Sequence, residues 1–330
     1  MALQTTGSSG TSAQFQPYLN KKLLKYAKQK LVMDQFAKLM PYPKDAGATS
    51  IKFFRPRVGD RTNVQQLSEG VPISTFTDNS RSSVTFTLTQ YGQASKISDI
   101  MTYLALFDEL DSSVEGMGND AALHLDYVLT AASVPNVASG NKHYSGGAAN
   151  FNALNALTAA QGAMTIVDLL WASTRLTLSR APEAKGGGYV AIVCPQLGYD
   201  LMQDAKFVDS GKYGATKGLY NGEIGMWYGI RIVVTTAPWT EAGTDSTEGT
   251  FGTGGTGGTI YSTMVIGQEA IGAPVVAGNS PFDPKIVIND KPDKSDPLNQ
   301  FVTAGWKAHY AAGVLKNDWF VINRSKSTFA

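Results

Sequence analysis

The 330-residue sequence predicts an α+β fold in which helices and strands occupy separate runs. Three observations carry that expectation. Residues 99–133 repeat apolar side chains at three- and four-residue steps, the period of one helical face. Residues 51–97 lack that period and alternate apolar with polar side chains instead. A strict alternation returns near the end, in "VTAGWKAHYAAGV", Val302 to Val314.

Residues 1–16 are rich in Ser, Thr, Gly and Gln and carry no apolar period. From Pro17 to Met40 the spacing predicts a helix, with Leu19, Leu23, Leu24, Ala27, Leu31, Met33, Phe36 and Met40 as its stripe. Its polar face carries Lys21, Lys22, Lys25, Lys28, Lys30 and Lys38 against the single acid Asp34. A basic amphipathic helix suits a membrane surface or an acidic protein partner. Pro41 and Pro43 should end it.

In the strand-rich stretch, "SVTFTLTQY" places Val84, Phe86 and Leu88 on one side and Thr85, Thr87 and Thr89 on the other. "IKFFRPRV" is the candidate partner, which leaves residues 59–82 as a long polar excursion. A two-stranded projection of that length has too little core to stand alone in water. It should lie against another subunit.

The helix expected over Asp99–Ser133 has Phe107, Leu110, Val114, Met117, Ala121, Leu125 and Val128 on one face, and Ser98 or Asp99 as its N-cap. Gly116 and Gly118 weaken it by about 1 kcal/mol each, so a bend is expected there. It contains Asp99, Asp108, Glu109, Asp111, Glu115, Asp120 and Asp126 without any Lys or Arg. That charge makes it a partner for the lysine-rich helix, in the same chain or the next. Residues 134–163 read as loop. A helix capped by Thr165 and stopped before Pro182 follows, then the buried strand "GGGYVAIVCP" and the short helix "QLGYDLMQDAKF". A glycine-paced turn, Asn221–Gly225, carries Glu223 and leads to a strand at Ile230–Val234. The Gly/Thr-rich loop 241–258 is expected to project, and "IYSTMVIG" resumes the sheet.

Charged residues make up 17% and the net charge is +1, so no strong field draws the chain to nucleic acid or anionic lipid. Low charge suits large surfaces that become buried between subunits. Cys194 is the only cysteine, so no intrachain disulfide can form. The N-terminus does not read as a secretory signal, and nowhere do 18 apolar residues run together. A soluble, non-exported protein is expected.

Catalytic patterns are sparse. The histidines are His124, His143 and His309, none at metal-ligand spacing with another. Cys194 sits in an apolar run that should bury it as an inert thiol. "GTGGTG", Gly252–Gly257, satisfies the dinucleotide pattern G-x-G-x-x-G literally, but polar residues precede it and a strand, not a helix, follows. Glu223 remains, with Asp200, Asp204 or Asp209 as a possible second carboxylate for a hydrolase. No spacing fixes such a pair, so Glu223 is expected to stabilise its turn. No catalytic, cofactor or metal residues are assigned. A fibrous tail protein would show trimeric or tandem repeats, and none is found.

The ordered set of segments is more specific than any of its parts. "LLKYAKQKLVMDQFAK", "LSEGVP" with "TLTQYGQASKISDI", "YVAIVCPQLGYDLMQD", "LYNGEIGMWYGIRIVVT" and "GWKAHYAAGVL" spread over residues 20–320. In this order the chain resembles the major capsid proteins of tailed bacteriophages with the HK97-like fold, in the branch typified by coliphage N-four. The resemblance implies an N-terminal arm (1–50), an extended β-loop (51–97), a peripheral domain with a spine helix (98–164), an axial domain (165–271) and a C-terminal return (272–330). It implies many copies of the chain as hexamers and pentamers, with portal and scaffold or cement proteins, and double-stranded DNA held only by weak contact. It implies a virion shell assembled in the host bacterial cytoplasm, and no enzyme. Some relatives cross-link neighbours through a lysine on the extended loop. Here no lysine lies between Lys52 and Lys96, and Arg55, Arg57, Arg61 and Arg81 cannot serve as amine nucleophiles. A non-covalent lattice is expected.

Overall fold

The computed structural model describes residues 23, 33–42, 50–55, 64, 66, 67, 69, 70, 72, 82–104, 109–184, 187–204, 223–243, 248–254, 257–276, 285–289, 298 and 300–329. In chain order the strands are β1 (Lys38–Tyr42), β2 (Ser50–Phe54), β3 (Ser83–Thr87), β4 (Thr89–Ser98), β5 (Lys142–Tyr144), β6 (Tyr189–Val193), β7 (Glu223–Trp227), β8 (Ile230–Val234), β9 (Trp239–Ala242), β10 (Thr259–Ile266), β11 (Ile271–Val276), β12 (Lys285–Asn289), β13 (Phe301–Tyr310), β14 (Gly313–Val314) and β15 (Phe320–Ser325). The helices are α1 (Asp99–Leu104), α2 (Glu109–Ser133), α3 (Phe151–Ala156), α4 (Ile166–Leu178) and α5 (Pro195–Gln203).

A seven-stranded mixed sheet runs β5-β15-β10-β6-β8-β7, with β9 also paired to β10. Its central strand β6 is buried along its whole length, as the uninterrupted apolar run "YVAIV" requires of a strand covered on both faces. Helix α4 packs over β15 and β10. Helix α5 lies toward the other edge, where Gly198 rests against Ile224 of β7 and Val234 of β8. The core here joins Leu169, Leu176, Val190, Ile192, Ile232, Val265, Phe320 and Ile322 to Leu129 and Val134 at the end of α2.

The second body is α2 against the three-stranded antiparallel sheet β12-β13-β4. Val114, Met117, Ala121 and Leu125 of the helix bury against Ala304, Trp306, Ala308 and Tyr310, the alternate residues of β13. The 3.6 and 2.0 periods read in the sequence therefore face each other. The hairpin β2–β3 pairs Ile51 with Phe86 and Phe53 with Val84, as the alternation predicted. Its apolar face closes a small cluster with Met40 and Leu315. Ser98 caps α1, accepting from Met101 N at 3.3 Å.

Several expectations need correction. The N-terminal helix does not reach Met40: Met33–Phe36 is a single 3-10 turn and Lys38–Tyr42 is strand β1, recruited by parallel pairing with β11. Of the earlier part, Leu23 is helical and buried against α2, and the lysines at 21, 22, 25, 28 and 30 lie outside the described residues. Helix α2 runs unbroken through Gly116 and Gly118, because Gly118 is buried and the packed face outweighs propensity. Residues 105–108, which include Phe107, lie outside the described residues.

Residues 134–163 are not all loop. Asn150 caps α3, its Oδ1 accepting from Ala153 N at 2.8 Å, and β5 adds to the large sheet. The final alternation splits into β13 and β14, which belong to different sheets. Of the turn assigned to Asn221–Gly225, residues 221 and 222 lie outside the described residues and the remainder is strand. Glu223 and Gly225 lie in β7 across a β-bulge, and the tight turn is Tyr228-Gly229, both at positive φ. The described part of the Gly/Thr loop does not project: Phe251 folds back on Tyr127 of α2 and Trp239 of β9.

Candidate functional site

Of the carboxylates considered for acid–base work, Asp200 lies within α5 and Asp204 directly after it. The Asp200 carboxylate accepts from Thr328 N at 3.1 Å and from the Thr328 hydroxyl, which pins the C-terminal segment to α5. Glu223 enters β7 opposite Val233. Asp209 lies outside the described residues. Cys194 is buried, its Sγ accepting from Leu197 N at 3.4 Å as the cap of α5, and burial pushes its thiol up to about 11. The His124 ring packs edge-on against Tyr91 at 4.9 Å, and His309 is exposed on β13. "GTGGTG" leads into β10 with no helix after it, so its backbone cannot cradle a dinucleotide at a helix N-terminus. Among the described residues no group of His, Cys, Asp and Glu is placed to hold a metal ion.

What the sequence reading missed is a buried ionic network. Arg324 of β15 and Glu241 of β9 are both almost fully buried and joined by hydrogen bonds from Nε to Oε2 at 3.0 Å and to Oε1 at 3.1 Å, and from Nη2 to Oε1 at 3.0 Å. Arg324 Nη1 also lies 2.8 Å from Glu248 Oε1, and Lys142 Nζ lies 2.9 Å from the same atom. Burial alone would raise the Glu248 pKa, but Arg324 and Lys142 outweigh it and hold the carboxyl below its ordinary range. Burial and the neighbouring Glu248 push Tyr144 up to about 12. Two carboxylates and two cations thus tie β5, β9, β15 and the loop bearing Glu248 into one piece. A signal existed: Arg324 interrupts the apolar strand "FVIN" at an inward position, where a charge must find a partner.

A second polar cluster fastens the N-terminus of α4. Thr165 and Asp168 form a reciprocal capping box. Asp168 also accepts from Ser145 at 3.0 Å and pairs with His143 Nε2 at 2.7 Å. Burial raises the Asp168 pKa, yet the bonds from His143 and Thr165 bring it below the ordinary value. Ser and His both bind the carboxylate instead of each other, so the trio positions a helix and activates no nucleophile.

These charged groups thus serve as internal struts of the large sheet. Residues 81–322 match the family model described as phage capsid protein, and the chain belongs to that family. It is a structural, non-enzymatic protein of the virion, a major capsid protein whose copies build the shell.

The solved capsid of cyanophage P-SCSP1u aligns over 91% of this chain and 89% of its own at 17% identity, with a TM-score of 0.60. The capsid of Ralstonia phage GP4 aligns over 91% and 92% at 11% identity, with a TM-score of 0.64. The capsid of cyanophage Pam1 aligns over 85% of both chains at 13% identity, with a TM-score of 0.56. At such identities the likeness is one of fold, the HK97-like fold. No curated protein matches the sequence. Nothing in the fold or the family supports the hydrolase reading, and among the described residues no helix is long and apolar enough to cross a membrane.

Proposed function

We propose that copies of this chain close, as hexamers and pentamers, into an icosahedral shell around double-stranded DNA, held by non-covalent contacts. In this reading residues 1–50 are an arm and 51–97 an extended loop, both reaching neighbouring subunits. Residues 98–164 with 272–330 form the peripheral domain, and 165–271 the axial domain around the five- and six-fold axes. A portal and scaffold or cement proteins join the assembly in the host bacterial cytoplasm, and the genome is held by weak, salt-sensitive contact.

The observation that carries this reading is the β2–β3 hairpin. Its inner face is docked on Met40 and Leu315, while its outer face, Ser50, Lys52, Phe54, Ser83, Thr85 and Thr87, stands in solvent. A two-stranded ribbon so poorly covered gains stability only when another surface lies on it. Contacts made through several neighbours at once hold each copy more firmly than any single contact. Electron microscopy and light scattering of the purified protein test the reading. Closed particles or rings are expected, and a monodisperse monomer at every concentration would overturn it.

A further inference from the structure

The three-stranded sheet β12-β13-β4 has two faces of unlike charge. One carries α2, which holds Glu109, Asp111, Glu115, Asp120 and Asp126 and no Lys or Arg. The other stands in solvent. It is formed by the residues of β13 that alternate with Trp306 and Ala308, together with their register partners on β4 and β12. Lys307 and His309 are exposed there on β13, Lys96 is exposed on β4, and Lys285 of β12 is the direct register partner of Lys307. None of the positions on this face carries Asp or Glu. The net charge of +1 hides this separation.

Lysines at directly opposed positions of an antiparallel pair repel each other, which costs stability unless an anion lies on them. Lys96 Nζ stands over the Phe301 ring, 3.1 Å from its centroid, a contact that fixes the ammonium on this face without cancelling its charge. Lys307 and His309 make no ion pair among the described residues. Position and composition then select the ligand. Lys96 is the register partner of Thr303, four residues from Lys307, so the charges spread over about 13 Å along the sheet. A single small anion cannot reach both ends, and a polyanion can. Between them lie Gly92, Ala94 and Gly305, too short to keep a backbone away. Val287 is the one exposed large apolar residue at the described positions of the face, so the apolar centre of a protein interface, where lysine is depleted, is missing there. Lysine beside Gln90, Ser98 and Thr303 is instead the set of groups that contacts phosphate and sugar in nucleic acids.

We propose that this sheet face is where the shell meets its genome: it faces the lumen and binds the phosphate backbone of double-stranded DNA without reading its sequence. The proposal rests on the shell-forming reading above and assigns the weak contact of that reading to named residues. Three lysines set its strength. The salt response is about 0.9 per phosphate neutralised, so three contacts let the affinity fall about 40-fold between about 50 and 200 mM salt.

The test uses the full chain and a short labelled DNA duplex of mixed sequence, with fluorescence anisotropy as the readout. The parent should bind with that salt response. Lys96→Gln/Lys285→Gln/Lys307→Gln should lose about tenfold or more in affinity at about 50 mM salt, and most of the salt response with it. Lys21→Gln/Lys25→Gln/Lys28→Gln lowers the net charge equally and should bind like the parent. Equal losses in both triple variants would reduce the effect to net charge, and a loss only in the second would place the DNA elsewhere. Binding of polyglutamate without binding of the duplex would assign the face to an acidic protein. Each of these results, like a parent that binds no duplex, overturns the inference.

A Lys307→Cys chain tests the orientation without removing the other charges. In closed particles the introduced thiol should be shielded from a bulky polymer-linked maleimide added outside, and should react once the particles are disrupted; Cys194 is buried and gives little background. Ready labelling of intact particles would put the face on the outside and overturn the inference while leaving the shell reading intact. A parent chain that never forms particles overturns the shell reading instead.

Discussion

Arg324 and Glu241, 83 residues apart in sequence, face each other in the interior with three hydrogen bonds, of 3.0, 3.0 and 3.1 Å, and both side chains 1% exposed. Such a pair adds little net stability against an apolar replacement, because removing two charges from water offsets their attraction. Breaking it is different. Arg324 is then left in the interior with only the partly exposed Glu248 as its counter-charge. Glu241→Gln should therefore lower the unfolding free energy of the unassembled subunit by about 3–5 kcal/mol, read by urea denaturation. The double variant Glu241→Met/Arg324→Met should recover most of that loss. Equal losses in single and double variants would mean that the pair is not coupled.

Acid should weaken the subunit through Asp168 and Glu248. Both have folded pKa values below their ordinary 3.8 and 4.5, so the unfolded chain binds their protons first. Their contribution is complete above the unfolded values and is lost as pH falls through the folded ones. The urea midpoint should be flat near neutrality and decline below about pH 4.5. Asp168→Asn and Glu248→Gln should each make that acid decline shallower.

At the alkaline end the sign reverses. Tyr144 is raised from 10.0 to about 12 and Cys194 from 9.0 to about 11, so the unfolded chain ionises first. Stability is full below the unfolded values and is lost as pH rises toward the folded ones. Cys194→Ser keeps an acceptor for Leu197 N and should remove the part of the loss that sets in near pH 9. In the native protein at pH 8 the thiol should react with an aromatic disulfide reagent only after denaturation.

Two glycines should respond in opposite directions to alanine. Gly116 lies mid-helix with nothing within 4 Å of a built Cβ, so Gly116→Ala should stabilise by about 1 kcal/mol. Gly188 has φ +77°, and a Cβ there would overlap the Gly229 carbonyl that accepts from Tyr189 N at 2.7 Å. Gly188→Ala should cost at least about 2 kcal/mol. Thermal melts of the two variants decide both.

Assembled particles boiled in detergent should run as a single monomer band, since the loop between Lys52 and Lys96 contains no lysine to act as an amine nucleophile. A ladder of linked copies would contradict the non-covalent lattice.

Where local period and burial agreed, the sequence was enough. The spine helix stripe from Val114 to Leu125, the alternating face of β13, the capping box of Thr165 and the buried run Tyr189–Val193 each follow from spacing, because those elements bury one face or both. The pairing of "IKFF" with "SVTFT" followed from their matched alternation. What spacing could not supply were contacts between distant segments. Spacing does not single out the turn Tyr228-Gly229, since several glycines compete in that stretch and only strand register selects among them. The helical stripe in the sequence runs as far as Met40, yet pairing with β11 makes Lys38–Tyr42 strand.

The sequence by itself determined the class: an α+β chain of low charge, without a constellation for catalysis, whose segment order resembles that of shell proteins. Tertiary structure alone decided which charges became internal struts and which apolar residues stayed outside. Arg324 finds Glu241 across 83 residues, and Thr328 finds Asp200 across 128, separations no local pattern encodes. The physical reason is that hydrophobic period is a local property of the chain, whereas the pairing of a buried charge depends on which strands become neighbours.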